Sequence, residues 1–460
     1  MLTRSNLAQL AGAASLLALG APAAMADPTP DCNAAAGEPT ALECGVDASA
    51  SGVDALAVGT EANADGTSTT AVGGESDATG VAATAFGWRA SATAERAHAL
   101  GHLASASGVR SLAVGEAASA SGEQSVAVGN LAVADGTDAV ALGTMANATG
   151  PSTIAAGGES VANGVAATAF GWRSSATAER AHALGHLASA SGVRSLAVGE
   201  AADASGLESI AAGNQASADG PDAIAIGTTT TATGPSTTAV GGEANAAGPG
   251  ATAYGWRSNA SAERAHAIGH LATASGVRST AVGEAANASG MGAVALGNEA
   301  SAGGANSVAI GNGAEAVRDG QVAMGGSDST YTMAGVGSDA SRAAQSGELG
   351  VVTTDRFGNL AADYSLSAGI SGNAGLIAAN RDAIAENRGG IAAAIALDTA
   401  YVPPGESFAV SGGYGFYDDE GALGLSAAYR FNRRVQFNAG VASGVDRGET
   451  GGRVGFAASW

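Results

Sequence analysis

The chain has 460 residues, 71 of them Gly, with only 4% aromatic and 13% charged side chains, so a conventional core of large side chains cannot be built from most of it. The formal charge of -22 comes from 42 acidic residues against 20 basic ones, all of the latter Arg. That balance disfavours nucleic acid and anionic headgroups as partners and suits a long, solvated object with a thin interior of small residues.

Residues 1–26 read as a secretory signal: Arg4, an apolar stretch from Leu7 to Leu19, Pro22, and the small-residue site Ala24-Met25-Ala26, with Asp27 left first after cleavage. The apolar run is too short and too Ala-rich to persist as a membrane helix. Residues 27–50 form an N-terminal segment that holds Cys32 and Cys44, the only cysteines. Export would place them in an oxidising compartment, which favours a local disulfide over two free thiols. Without nearby His they make a poor metal site.

From 51 to 326 a fourteen-residue period fills the chain: Gly recurs from Gly59 to Gly325 at that interval, twenty times without a slip. A second Gly, offset by seven, is replaced by Ala at Ala94, Ala178 and Ala262, so each unit has two halves, each ended by a position that takes positive φ cheaply. Tetrapeptides such as Val126-Ala127-Val128-Gly129 and Val308-Ala309-Ile310-Gly311 alternate like short strands. Such strands cannot bury a face alone, and stacking identical coils at about 4.8 Å gives a parallel β-solenoid roughly 100 Å long. No gap in the period leaves room for an inserted catalytic domain.

A second, longer repeat of six coils is superposed. Thr84-Ala85-Phe86-Gly87-Trp88-Arg89 returns at Thr168 to Arg173 and, with Tyr254 for Phe, at Thr252 to Arg257. All six His lie just beyond, as His98/His102, His182/His186 and His266/His270. A Gly turn separates the members of each pair, so structural use at a coil or subunit contact is preferred to a metal or pH-sensitive cluster. Trp88, Trp172 and Trp256, with Arg89, Arg173 and Arg257 beside them, are candidate ligand contacts, the alternative being that each ring plugs a coil or packs against another subunit. No nucleophile with its base, phosphate loop or zinc signature stands out, so the chain is not read as an enzyme and no cofactor is expected. The Thr column at Thr70, Thr84, Thr168, Thr238, Thr252 and Thr280 is too interrupted by Val, Leu, Ile and His for ice binding.

Residues 327–363 read as a Ser-, Gly- and Thr-rich connector, and 364–398 as a heptad helix. Ile370, Ile377, Ile384 and Ile391 occupy the a column, while Leu366, Asn373, Asn380, Asn387 and Ala394 occupy d. Buried Asn fixes register, and three copies of Asn373, Asn380 and Asn387 around an axis could hold an anion or water. Beyond Pro403-Pro404-Gly405, residues 399–460 alternate with period two. Phe408, Val410, Tyr414 and Phe416 share one face, and Ser411, Gly413 and Gly415 the other, the lipid-out, small-in code of a membrane barrel. Four strands cannot close a barrel, but three copies give twelve, with lumen space for three helices.

Head repeats on a fourteen-residue period, the segment Ser341 to Gly347 leading into Val351-Val352-Thr353, an Asn-at-d stalk and a four-strand anchor ending in Trp460 together resemble the YadA-type trimeric autotransporter adhesins over nearly the whole mature chain. The resemblance implies a left-handed parallel β-roll head, a short trimeric coiled-coil stalk, a twelve-stranded outer-membrane barrel and a homotrimer inserted with the barrel assembly machinery. It also implies Sec export and type V secretion, an exposed head, and multivalent attachment to extracellular-matrix protein, other cells or surfaces. The short stalk, the ordinary signal peptide and the Trp/His blocks depart from that pattern.

Overall fold

The computed structural model describes residues 32–35, 38–446 and 449–460. The secretory signal read at 1–26 lies outside the described residues. The chain divides into two compact units, the first ending at Thr330 and the second running from Tyr331 to Trp460.

The first unit is the expected parallel solenoid. Each coil, numbered here from its corner Gly as position 1, carries a two-residue strand at positions 5 and 6 and a three-residue strand at positions 12 to 14. Both pair in parallel with the equivalent strand of the next coil, as in Ser105↔Ser119 and His98↔Leu112. The corners are hydrogen-bonded too: Arg89 N donates to Gly74 O at 2.9 Å, and Arg96 N to Val81 O at 2.8 Å. Nearly every backbone group along the stack is therefore satisfied by its neighbouring coil.

The alternation Val-Ala-Val marks a strand but not which side faces inward. The Ala does. Ala99, Ala113 and Ala127 at position 13, and Ala92, Ala106 and Ala120 at position 6, are fully buried, with Ala, Ser or Thr filling positions 4 and 11. No fully buried described side chain of this unit is larger than Thr. Val, Leu, Ile and Phe at positions 12 and 14 stand on the outer face of the three-residue sheet.

The corner glycines play two different parts. At position 1 they have positive φ, +140° at Gly101, where a Cβ would lie 2.4 Å from Gly115 O. The glycines offset by seven do not have positive φ, contrary to the expectation from sequence. They are small because the next coil passes so close. Positive φ falls instead on positions 3 and 10, held by ordinary residues such as Arg89 (55°) and Arg96 (54°). Their strain, about 1 kcal/mol or more for each non-Gly residue, is offset by the inter-coil bonds at those same corners.

The N-terminal end is capped. Cys32–Ala35 pairs antiparallel with Glu38–Cys44, which is itself the first rung of the sheet through Leu42↔Leu56. Cys32 and Cys44 are partners in that register and are joined by a disulfide, with Cα atoms 4.2 Å apart. The antiparallel strand covers an edge that a parallel stack would otherwise leave open.

In the second unit a short helix, Asp339–Ala344, precedes a hairpin of Val351–Thr354 and Leu360–Asp363. A helix of 33 residues, Tyr364–Ala396, follows, capped by the Asp363 carboxylate, which accepts from Ser365 N and Leu366 N. Four strands, Phe408–Tyr417, Glu420–Asn432, Val435–Gly444 and Thr450–Ala458, then form one antiparallel meander.

Candidate functional site

Reading the solenoid in columns brings together residues one coil apart. Position 2 runs Gly74, Trp88, His102, Glu116, Asn130, Thr144, then repeats from Gly158 and again from Gly242, the last time with Asn312 in place of Thr. The indole of Trp88 stacks on the imidazole of His102, with ring centroids 4.9 Å apart and planes 18° apart. His102 Nδ1 lies 3.6 Å from Glu116 Oε1, and Asn130 Nδ2 donates to Glu116 Oε2 at 3.0 Å. Gly74 leaves room beside the ring, since a Cβ there would sit 3.2 Å from Trp88 Cδ1, a tight contact. At position 3, the Arg89 guanidinium lies 4.7 Å from the Trp88 ring centroid and pairs with Glu75 through Nε to Oε2 at 2.8 Å.

The two later copies repeat this arrangement. Trp172 stacks on His186 at 5.0 Å and Trp256 on His270 at 4.9 Å. Arg173 pairs with Glu159 at 3.1 Å and Arg257 with Glu243 at 2.7 Å. Each indole is nearly half exposed, between 43% and 44%. The rings neither plug the coil interior nor stand free: each is fixed on a corner by a cation and an imidazole, its rim open to solvent.

The structure separates the sequence pairs of histidines. His98 stands at position 12 on the outer face of the sheet between Thr84 and Leu112, whereas His102 is on the corner with Trp88 and Glu116. Glu75 and Glu116 are inconspicuous in the linear sequence, although aligning the chain on its fourteen-residue period places both beside the Trp block. Among the described residues no group of three His, Cys, Asp or Glu is arranged to hold a metal ion.

Among the described residues, two further apolar surfaces are exposed. On the solenoid sheet, Phe86, Phe170, Tyr254, Ile226 and Ile310 are exposed at position 14. In the second unit, Tyr414, Phe416, Leu425, Phe437 and Phe456 are exposed on one face of the meander. Its opposite face takes the end of the long helix. Ala392, Ala393 and Ala396 pack on Ala422 and Ala442, and a Cβ on Gly415 would lie 2.2 Å from Ala392 O. Ser426 Oγ donates to Asp398 O at 2.6 Å and Gln436 Nε2 to Ala400 O at 3.0 Å. This sheet is therefore apolar outside and small or polar against its helix, the arrangement of a membrane β-barrel wall.

Residues 400–460 match the model of the YadA-like membrane anchor domain, and the YadA head domain repeat matches successive segments from 50–76 to 288–314. The chain belongs to the YadA-like trimeric autotransporter adhesins. An anchor of this family fixes the chain in the outer membrane with its head exposed, and the family is in general not enzymatic. Among solved structures, the collagen-binding domain of the Yersinia adhesin YadA is similar at 17% identity, over 55% of this chain and 80% of that one, with a TM-score of 0.12. No curated protein matches the chain significantly in sequence.

Proposed function

We propose that this adhesin is a homotrimer that attaches multivalently to extracellular-matrix protein, other cells or surfaces. We propose further that the Trp88-Arg89-His102-Glu116 cluster and its two copies are contacts. The observation that carries this reading is the threefold recurrence of one exposed aromatic-cation cluster on the same corner, at a rise of about 29 Å per six coils. Repetition of a modest contact yields strength through avidity rather than through one deep pocket. Three subunits would bury the apolar position-14 columns against one another and close twelve strands around three helices, leaving no open edge in the bilayer.

In the same reading the signal at 1–26 directs Sec export, the barrel assembly machinery inserts the anchor, and Cys32 and Cys44 are oxidised after export. Asn373, Asn380 and Asn387 of three helices surround an anion or water on the stalk axis. The direct test displays the full chain on cells and measures attachment to immobilised matrix proteins, collagen included, before and after replacing Trp88, Trp172 and Trp256 by Ala. Unchanged attachment would remove the site assignment. A monomer in the soluble fraction, rather than a heat-modifiable trimer in outer membranes, would remove the architecture.

A further inference from the structure

The long helix covers only part of the anchor sheet. It comes in beside the turn at Asp418 and Asp419, where Arg388 Nη1 lies 2.9 and 3.4 Å from their carboxylates. It then crosses Gly415 and Gly424 and ends at Ala396. Residues 398–402 continue along the same face toward the opposite end of the sheet, and there the wall binds their backbone. Ser426 Oγ donates to Asp398 O at 2.6 Å, Gln436 Nε2 to Ala400 O at 3.0 Å, and Arg430 Nη2 to Val402 O. Gln436 Oε1 also accepts from Val402 N at 3.3 Å. Ala400 and Val402 are turned into the wall and buried with Ala428. Thr399 and Tyr401 are turned away from it, and Tyr401 is 65% exposed, with the Arg430 guanidinium 6.0 Å from its ring centroid.

We infer that Ser426, Arg430 and Gln436 form a binding track for the backbone of 398–402, and that the track holds Tyr401 over the lumen as the stopper of the barrel. The inference rests on the reading of three chains closed into twelve strands. A helix with its side chains is about 10–12 Å across, whereas strands lie only about 4.8 Å apart, so a segment laid flat on the wall fills far less of the lumen. Where three helices give way to three such segments, a passage opens along the axis unless large side chains occupy it. Ser426 and Ala428 on the wall are small, and Gln436 is already engaged. Among residues 398–402 the large side chain turned away from the wall is Tyr401. Its direction is set by the bonds on either side of it, because Gln436 takes the carbonyl before it and the amide after it. The ring therefore needs no tight contact of its own, and its apolar body with a polar tip suits the boundary between a packed lumen and water.

The test measures ion current through the full-length protein, extracted from outer membranes and reconstituted in planar bilayers. Heat-modifiable migration is recorded first for every sample. A wild type without the trimer band removes the twelve-stranded reading itself, whereas the currents of banded samples report on the stopper alone. Wild type and Tyr401→Phe should be silent, and Tyr401→Ala should carry a steady current. Gln436→Leu should flicker between closed and open as the segment leaves and regains the wall. Tyr401→Cys should conduct until a bulky maleimide is attached and then close, since Cys32 and Cys44 are joined to each other and do not react. A wild type that conducts like Tyr401→Ala, a silent Tyr401→Ala, an open Tyr401→Phe, or a Tyr401→Cys current unchanged by the label overturns the inference. A steadily closed Gln436→Leu overturns the part assigned to the track. Loss of the trimer band in Tyr401→Ala also overturns it, because the ring would then be a packing contact and not a stopper.

Discussion

The His102 ring lies on the indole of Trp88, 4.9 Å between centroids, although the two residues belong to different coils. The stack is a product of the solenoid register. It exists only while adjacent coils are stacked, and it presents a rigid aromatic rim at low entropic cost. Trp88→Ala, Trp172→Ala and Trp256→Ala together should therefore abolish most matrix attachment while leaving the head folded. Loss of each exposed stack should cost only about 0.5–1.5 kcal/mol, a small effect in a stack of this length. Thermal unfolding measured beside attachment checks the separation.

The head interior admits nothing larger than Thr, so enlarging it should be far more damaging than truncating its surface. Ala99→Leu at a fully buried position should destabilise the local coils by about 1–3 kcal/mol or more. Gly101→Ala meets both a φ of +140° and a carbonyl at 2.4 Å and should break the coil at that level. Limited proteolysis should cut near these sites in the variants and spare the wild type.

Gly415 and Gly424 let the helix end lie directly on the anchor sheet, since a Cβ at either position would come within 2.2 Å of Ala392 O or Ala396 O respectively. Gly415→Val or Gly424→Val should expel the helix from this face. The readout is the heat-resistant trimer band in outer membranes, expected to disappear, whereas an outward Leu425→Val should keep it.

Reduction or Cys44→Ser should loosen the antiparallel cap without unfolding later coils, because each coil contacts only its neighbours. Hydrogen exchange should accelerate over 38–58 and stay slow from the middle of the head onward. Uniform acceleration would show that the cap supports the whole stack.

Asp363 caps the long helix, and its pKa is lowered from 3.8 chiefly by the Ser365 hydroxyl, with the Leu366 and Ser365 amides adding to the effect. A depressed carboxylate contributes stability above its ordinary value, and that contribution is lost as pH falls through the lower folded value. The first helical turn should therefore fray on acidification below the usual carboxylate range. Asp363→Ala should fray it at neutral pH and remove this dependence, as amide exchange of Leu366 would report.

The solenoid and anchor are legible in the sequence because their periods are backbone periods: Gly101 and its equivalents recur wherever the chain must turn, and Phe416 alternates with Gly415 wherever a strand has two faces. The meaning of the second glycine is not legible. Gly108 is small because Gly122 O passes 1.9 Å from its would-be Cβ, a tertiary fact that composition does not distinguish from a need for positive φ. The His98/His102 proximity also misleads, since four residues spanning a Gly corner diverge onto different faces. Local spacing describes a helix well and a solenoid poorly. Only the column, read coil upon coil, places Trp88 with His102 and Glu116.

Because every layer of the head is closed by the same Ala, Ser and Thr columns, one layer is a good template for any other. Whole turns can be gained or lost by recombination between copies without repacking anything inside, so reach is free to vary between lineages.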